Sequence, residues 1–376
     1  GVSVKNRLAK AAMSEQLAGP AGQPTAELER IYRRWAHGGV GMLITGNIMV
    51  DRRSIGEPLN VIVEDERDLE PLKRWATASK SYGATALAQI NHPGRQTLAG
   101  LSERAVAPSA VQVDMGPAFA KPRALTADEI TEQVARFAEA ARILVKAGFD
   151  GVQIHAAHGY LLSEFMSPFL NMRTDRFGGS FENRMRFPLA VIDSIQKKCG
   201  KSYPVLVRYS FEEWCEGGRG KEEGIETAKV LERAGCAALD LSQGMQESPG
   251  AGFDPMQYPQ GWATYAAEAV KKVVKIPVIT SHSLRDPEYC EQILAEGKTD
   301  LVGLARQLLA DPYWPVKAQY GKVKSIRKCI SCLGGCWQES LMAKHEIACS
   351  INAACGQPAY DDMKRTDKPV RVAVVG

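Results

Sequence analysis

The chain has 376 residues, of which 45% are hydrophobic, 24% charged and 7% aromatic, and its net charge is +4. This composition is typical of a folded globular protein and excludes disordered, collagen-like and coiled-coil classes. The charge surplus is too small and too scattered to indicate a nucleic-acid or membrane-surface partner. No run of about 18 apolar residues and no signal peptide is visible, so we expect a cytoplasmic protein.

Eight short apolar segments between residues 8 and 320 each precede an amphipathic stretch, and we interpret these segments as strands. They are Leu8–Met13, Gly41–Thr45, Ala84–Ile90, Gly151–His155, Pro204–Tyr209, Ala238–Ser242, Pro277–Thr280 and Leu301–Gly303. The best-defined helix begins at a capping box, Thr126 to Glu129, and ends before Gly148. Eight alternating strand–helix units predict an α/β fold, a closed (βα)8 TIM barrel over residues 1–321.

The pattern changes after residue 321. Residues 322–367 are rich in Lys, Cys, Gly and Ala without a repeating unit, which indicates an appended metal-binding segment. Residues 368–376 read KPVRVAVVG, a buried strand that ends at one glycine. Such a strand is the usual entry to a dinucleotide-binding domain, although a plain edge strand fits it equally well. We expect the first strand of a truncated dinucleotide-binding domain here.

A histidine pair and a tyrosine follow the predicted fourth strand, in the order His155, His158 and Tyr160. The carboxyl ends of barrel strands face the active site, so these side chains are expected at its mouth. As N–H donors the imidazoles could stabilise a developing oxyanion, at about 3 kcal/mol per donor, and Tyr160 could give a proton to carbon. The spacing suits a zinc site equally well, and one histidine could instead satisfy a buried carbonyl.

The nine cysteines are unevenly placed. Their odd number, in a long chain without a secretion signal, argues against a disulfide framework. Cys329, Cys332, Cys336 and Cys349 form the pattern C-x2-C-x3-C-x12-C, and Cys355 stands outside it. Three thiolates so close together favour an iron–sulfur cluster over zinc, which usually takes two separated C-x2-C pairs. Free thiols are the remaining interpretation.

Polar residues also occur at other predicted strand ends. The loops after the seventh and eighth strands commonly bind phosphate in such barrels, and here they contain Ser281, His282 and Arg306. Their backbone N–H groups and the guanidinium could clamp a dianion, although Arg306 could equally form a salt bridge at the rim. Gln89 and Arg208 end the third and fifth strands, and a buried arginine there requires an anion or an electron-rich ligand.

Several segments carry a resemblance to a known family. They are Lys5-Asn6-Arg7, Gln89 followed by INHPGR at 90–95, the block GFDGVQIHAAHGYLLSEFMSPFLNMRTDRFGGSFENRMRF at 148–187, and LVGLARQLLADPYWP at 301–315. The chain resembles the old yellow enzyme family of flavin-dependent ene-reductases. With the cysteine pattern it resembles the iron–sulfur branch, which includes 2,4-dienoyl-CoA reductase, enoate and bile-acid reductases and trimethylamine dehydrogenase.

The resemblance implies an FMN barrel that reduces an activated C=C bond of a small alkene, an enoate, enone or dienoyl thioester, with electrons from NAD(P)H. Hydride would pass from flavin N5 to Cβ, Tyr160 would protonate Cα, and His155 and His158 would bind the carbonyl oxygen, which makes zinc at the histidines remote. The residues implied at FMN are Ala11, Ala12, Met13, Ser14, Gly46, Gln89 and Arg208 along the ring, and Ser281, His282, Ala305 and Arg306 at the phosphate. The four cysteines would hold a [4Fe–4S] cluster, and FAD is expected only in a full-length protein.

The chain departs from the family at three places. Ser14 stands where amine dehydrogenases carry the cysteine that bonds their flavin, and Gln246 stands where the dienoyl-CoA reductase has a catalytic histidine. Thr280-Ser281-His282 replaces the usual glycines. The alternative function is a flavin and iron–sulfur dehydrogenase that oxidises its substrate and passes electrons to a partner flavoprotein. The sequence leaves the alkene, the choice of NADH or NADPH and the oligomeric state open, a homo-oligomer included.

Overall fold

The computed structural model describes residues 1–102, 104–114, 117–342, 346–358 and 366–373. Its strands are β1 Leu8–Lys10, β2 Met42–Ile44, β3 Ile48–Met49, β4 Val61–Ile62, β5 Thr85–Asn91, β6 Val106–Ala107, β7 Arg123–Ala124, β8 Gly151–Ala156, β9 Val205–Ser210, β10 Ala238–Ser242, β11 Val278–Thr280 and β12 Leu301–Leu304. Eight of them (β1, β2, β5 and β8 to β12) pair in parallel in that order, and β12 pairs with β1. This closure confirms the predicted TIM barrel.

Helices follow most barrel strands and cover the outside of the barrel. They are α1 Ala26–His37, α2 Leu69–Lys80, α3 Ala127–Ala147, α4 Leu161–Met166, α5 Phe181–Cys199, α6 Lys221–Arg233, α7 Pro249–Phe253, α8 Thr264–Lys271, α9 Pro287–Ala295, α10 Arg306–Ala310 and α11 Trp314–Gln319. The capping box of α3 is present, and Gly148 ends that helix with φ of +93°. No helix in the described ranges is long and apolar enough to cross a membrane.

The first strand is shorter than predicted, and the residues that leave it line the site. β1 ends at Lys10, whereas the sequence pattern continues to Met13. Ala11 still donates its N–H to the carbonyl of Leu304 at 2.9 Å, but the next residues have no regular structure and line the large cavity described below. A prediction from apolar side chains alone therefore overestimated the length of the strand, because apolar residues that line a ligand cavity have the same composition as a buried strand.

The segment after the barrel packs back onto it. It includes a π-helix at Gly334–Met342, and beyond it Ile347 donates its N–H to the carbonyl of Glu15 at 3.1 Å. Asn352 donates to the carbonyl of Leu309 at 2.7 Å. These contacts hold residues 346–358 against the end of β1 and the helix α10. The cysteine-rich segment is therefore fixed beside the carboxyl end of the barrel.

The predicted strand over 368–376 is not formed in its described part. Residues 368–373 have no regular structure, and Val370 and Val372 are 79% and 74% exposed. A strand needs a partner to satisfy its backbone groups, and none lies beside these residues among the described ones. Residues 374–376 and most of 359–367 lie outside the described residues. The domain boundaries at 321 and 367 stay predictions.

Candidate active site

A cavity of about 260 Å³ opens at the carboxyl end of the barrel. Thirteen of the fourteen residues predicted at the catalytic and cofactor sites line it: Ala11, Ala12, Met13, Ser14, Gln89, His155, His158, Tyr160, Arg208, Ser281, His282, Ala305 and Arg306. The exception is Gly46, which lies behind Met13 and borders a smaller cavity. A Cβ on Gly46 would come within 2.5 Å of the Met13 carbonyl oxygen, so glycine allows the Met13 backbone to approach closely.

The two histidines and the tyrosine lie in one cluster. The ring centroids of His155 and His158 are 5.2 Å apart, and those of His155 and Tyr160 are 4.7 Å apart. The backbone makes this possible after β8, since His158 has φ of +61° and Gly159 has φ of +76°. Burial, with the nearby Arg208, holds the pKa of both imidazoles well below the usual value. Both rings are therefore neutral at physiological pH, with one N–H each.

The two imidazoles are not equivalent as donors. Nδ1 of His155 accepts the N–H of Ala157 at 3.3 Å, so its proton resides on Nε2. Nε2 of His158 is 2.6 Å from the hydroxyl of Ser242. His158 therefore offers a free N–H only while Ser242 donates to it. No third His, Cys, Asp or Glu completes a metal site with them among the described residues, which gives the zinc interpretation no support.

A buried carboxyl group that sequence reasoning missed lies beside Tyr160. The phenol donates to Glu57 Oε1 at 3.4 Å, and Asn60 donates to the other carboxylate oxygen at 3.4 Å. Burial raises the pKa of Glu57. Burial and the Glu57 charge also raise the pKa of Tyr160 well above that of free tyrosine, so the phenol keeps its proton. Glu57 lies in the irregular loop between β3 and β4, where no periodic pattern marks it.

Arg208 lines the cavity and lies at the end of a chain of buried polar groups. Gln89 donates to Gln153 at 2.7 Å, and Gln153 donates to Asp240 Oδ2 at 3.0 Å. The guanidinium Nε lies 3.8 Å from Asp240 Oδ2, and Nη1 donates to the carbonyl of Ala12 at 3.1 Å. Burial raises the pKa of Asp240, against the opposing charge of Arg208. Sequence reasoning missed Gln153 and Asp240, although each lies two residues before a predicted strand-end residue and so on the same inward face.

The opposite end of the cavity carries the predicted phosphate residues. Arg306 donates to the carbonyl of Asp254 at 3.0 Å and to the Ser283 hydroxyl at 3.2 Å. His282 Nδ1 is 2.9 Å from Asp254 Oδ1. Asp254 follows the short helix α7 and was not predicted. The rim salt bridge considered for Arg306 is present in part, since Nη2 lies 3.4 Å from Asp254 Oδ2 while the residue lines the cavity.

Three buried polar atoms around the cavity fit a bound polar ligand. Nε of Arg208, Oγ of Ser281 and Nε2 of His282 have no hydrogen-bond partner within the described structure. Such atoms are costly to bury alone. Gly303 adds room at the same end, because a Cβ there would lie 2.2 Å from the Ser281 hydroxyl. A group with a polar ring edge at Arg208 and an anion near Ser281 and His282, as FMN has, fits these atoms.

The four predicted metal-ligating cysteines, Cys329, Cys332, Cys336 and Cys349, line one small apolar cavity of about 20 Å³. Cys329 and Cys336 also line the large cavity, so the two spaces adjoin. Burial raises the pKa of Cys336 to about 11, against the charge of Arg306. All nine cysteines are free thiols in the structure. In the described residues no three Cys, His, Asp or Glu side chains are arranged to hold a metal ion, and the cluster stays a prediction.

Comparisons with known proteins extend over the whole chain. It is 41% identical over 377 residues to the NADH oxidase of Thermoanaerobacter brockii, with 99% of this chain and 58% of that protein covered. It is 36% identical over 409 residues to the cinnamate reductase of Clostridium sporogenes, with 100% and 59% covered. The solved structure of 2-naphthoyl-CoA reductase with 2-naphthoyl-CoA superposes with a TM-score of 0.90 at 31% identity, over 95% of this chain and 56% of that one.

The chain therefore spans less than two thirds of the length of these relatives. Within that span, residues 1–325 match the family described as NADH:flavin oxidoreductase / NADH oxidase. This range contains the entire barrel and every residue that lines the cavity from the strand ends. Fold, site and sequence agree, and the chain belongs to the NADH:flavin oxidoreductase / NADH oxidase family, the one to which its resemblance to old yellow enzymes points.

Proposed function

We propose that this chain is the FMN-binding part of an NAD(P)H-dependent ene-reductase that saturates an activated C=C bond. The main supporting observation is that one cavity joins the cluster of His155, His158 and Tyr160 to the half-buried Arg208 and to a proposed anion-binding end at Arg306. Family membership supports both FMN and NAD(P)H. The similarity to a cinnamate reductase and to a naphthoyl-CoA reductase supports enoates or acyl thioesters as the substrate class.

FMN would be held at three places in this cavity. Gln89 and Arg208 would bind the polar edge of the ring, Ala11 to Ser14 would lie along its face, and Ser281, His282, Ala305 and Arg306 would bind the phosphate. Bound FMN would supply hydride at its N5. The side-chain hydrogen bonds from Gln89 to Gln153 and from Gln153 to Asp240 fix the side-chain orientation of Gln89.

His155 and His158 would bind the carbonyl oxygen of the substrate. Hydride addition to Cβ moves negative charge onto that oxygen, and a fixed N–H donor there is worth about 3 kcal/mol in the transition state. Both imidazoles are neutral because of burial and Arg208. A neutral ring keeps one N–H whether the pH is 6 or 8, so we expect carbonyl binding to be independent of pH in this range.

Tyr160 would protonate Cα from its Oη. The raised pKa of the phenol keeps it in the protonated, donating form. The hydrogen bond from the Tyr160 hydroxyl to Glu57 Oε1, at 3.4 Å, orients the hydroxyl. The proton therefore stays on Tyr160 until a carbanion, a much stronger base than the Glu57 carboxylate, develops at Cα.

The cysteine-rich segment would hold a [4Fe–4S] cluster that delivers electrons to the flavin. A set of four thiols around one apolar space is the donor set of such clusters. The space adjoins the large cavity, which favours a path between the two cofactors. In the full-length protein, we further propose, residues 368–376 lead into a domain that binds FAD and NAD(P)H.

The test is anaerobic purification of the full-length protein with flavin, iron and sulfide analysis, followed by stopped-flow mixing of the reduced protein with cinnamate or cyclohexenone. We expect bound flavin and its reoxidation by the alkene. Protein without flavin would refute the proposal. Flavin that an amine or alcohol reduces, and that neither alkene reoxidises, would instead support the dehydrogenase function.

A further inference from the structure

A second, much smaller cavity lies beside the large one, and several unpaired polar atoms belong to the residues that line it. Its volume is about 10 Å³, enough for about one water molecule. The atoms are Nε2 and Oε1 of Gln16, Oδ1 of Asn47 and Nε1 of Trp75, which are buried without a hydrogen-bond partner in the described structure. Leu59 also lines this cavity and is 38% exposed, so the cavity lies close to the surface. Water can satisfy both donors and acceptors there.

Glu57 lies between the two cavities. It lines the large cavity and is 7% exposed. Its Oε1 accepts the Tyr160 hydroxyl at 3.4 Å, and its Oε2 accepts the amide of Asn60 at 3.4 Å. Asn60 lines the small cavity, and Ser14 and Asn47 line both. Glu57 therefore connects the phenol of Tyr160 with the lining of the small cavity.

Glu57 is also the better suited of two carboxyl groups at this place. Glu15 lines the small cavity too, but its Oε1 accepts hydrogen bonds from Lys10 at 2.8 Å and from Tyr32 at 2.6 Å. Its charge is therefore held in a buried ion pair. No lysine or arginine pairs with Glu57 in the part of the chain that the structure describes, and burial raises its pKa above that of a free glutamate. Glu57 thus gains a proton more readily than an exposed carboxylate does.

Each turnover of the proposed reaction leaves Tyr160 without its proton. The π bond of the alkene breaks as hydride from reduced FMN joins Cβ and the proton of Tyr160 joins Cα. The flavin is thereby oxidised, the alkene is reduced, and Tyr160 becomes a phenolate. This phenolate lies 3.4 Å from the Glu57 carboxylate, and two like charges so close favour the uptake of one proton. The balance therefore requires one proton from water for each alkene reduced.

We propose that Glu57 is a proton relay, which takes a proton from water in the small cavity and passes it to Oη of Tyr160 after each reduction. The relay rests on the proposed function for the reaction that deprotonates Tyr160. A phenolate is a stronger base than a carboxylate, so the transfer is favourable and Glu57 returns to its charged form. Because the proton arrives through the small cavity, Tyr160 is reprotonated while flavin and product still occupy the large one.

The experiment follows hydride transfer and proton uptake at the same time. The flavin-loaded protein is reduced by light in weakly buffered solution and mixed with cinnamate or cyclohexenone in a stopped-flow instrument. Flavin absorbance reports reoxidation, and a pH-indicator dye reports protons taken from water. In the unmodified protein we expect about one proton per flavin, taken up in step with reoxidation. Reoxidation without any uptake would overturn the relay alone, whereas no reoxidation by either alkene would refute the proposed function.

Glu57→Gln separates a relay from a merely structural role. The amide oxygen accepts the same hydrogen bond from Tyr160, but an amide does not carry a proton. Reoxidation should keep its rate, because its proton is already on Tyr160, whereas proton uptake should lag behind it by about 100-fold or more. A structural role would slow both signals together. Uptake that keeps pace with reoxidation in this variant would overturn the relay, since Tyr160 would then take its proton directly from the large cavity.

A second variant tests the small cavity as the source of the proton. Gln16→Met removes both unpaired amide atoms from that cavity and leaves Glu57 and Tyr160 in place, so proton uptake should again lag behind reoxidation. Glu70→Gln, on the exposed face of α2, is the matched control and should show no lag. Bound flavin checks that each variant is folded. A lag in Glu57→Gln but none in Gln16→Met would overturn the small cavity as the entry route.

Discussion

Replacing His155 by alanine tests the catalytic assignment most directly. The imidazole is 3% exposed, and the Ala157 N–H occupies Nδ1, so Nε2–H is a donor already aimed before substrate arrives. Loss of one such preorganised donor costs about 100- to 1,000-fold in the rate of the chemical step, or about 2.7–4 kcal/mol. His158 can donate to a substrate only while the Ser242 hydroxyl donates to its Nε2, and this condition offsets about 1 kcal/mol of its contribution. The loss in His158→Ala should therefore be about fivefold smaller.

The assay separates the two half-reactions. The protein is first reduced with dithionite and then mixed with cinnamate or cyclohexenone in a stopped-flow instrument, while the rate of flavin reduction is measured separately. Only alkene reduction should fall in His155→Ala, and it should fall in the maximal rate rather than only in substrate affinity. His37→Ala, with a surface histidine removed, should match the unmodified protein. An unchanged rate in His155→Ala, or a larger loss in His158→Ala, would refute the asymmetric donor pair.

Three further predictions concern the proton donor, the core and the cysteine segment. Tyr160→Phe should lower the maximal rate of alkene reduction about 100-fold or more with flavin reduction unchanged, since it removes the proton donor; an unchanged rate would contradict the assignment. Lys10→Met leaves the buried carboxylate of Glu15 without its cation, so it should lower the free energy of unfolding, measured in urea, by about 3–5 kcal/mol. The control Lys73→Met removes the exposed ion pair with Glu70 and should change that free energy by less than about 1 kcal/mol. Cys332→Ser should lose bound iron and Cys355→Ser should keep it; equal iron in both would exclude the predicted ligand set.

The barrel could be predicted from the sequence because its signal is local. Each strand is an apolar run followed by an amphipathic stretch, and each of the eight predicted segments overlaps a strand of the barrel. The two-residue strands β3 and β4 were not predicted, since they are too short to show a period. β3 forms where the chain after β2 pairs with the end of β5, at Ile48 and Ile90. That pairing depends on the tertiary fold and not on the residues alone.

Residues of the candidate site could be predicted from the sequence only where they lie at the end of a strand. His155, Arg208 and His282 follow directly from the rule that barrel strands present their carboxyl ends to the site. Glu57 and Asp254 complete the environment of Tyr160 and His282, yet they come from loops of irregular conformation. Their partners lie 103 and 28 residues away in the chain, and no spacing rule connects such pairs.

The side chains inside the barrel change from apolar to polar within two residues along a strand. The apolar layer therefore contributes mainly to stability, and the polar layer mainly to ligand binding. Leu206 and Ala238 face the apolar lower layer, and two residues further on the same strands present Arg208 and Asp240. Arg208 Nε and Asp240 Oδ1 lack hydrogen-bond partners in the described structure, a cost that an apolar layer would avoid. The lower layer and the surrounding helices carry the hydrophobic stabilisation, so the polar layer can be shaped by its ligand. Substitutions at the cavity should therefore change ligand binding far more than folding, which is why binding and unfolding measured on the same variants distinguish the two layers.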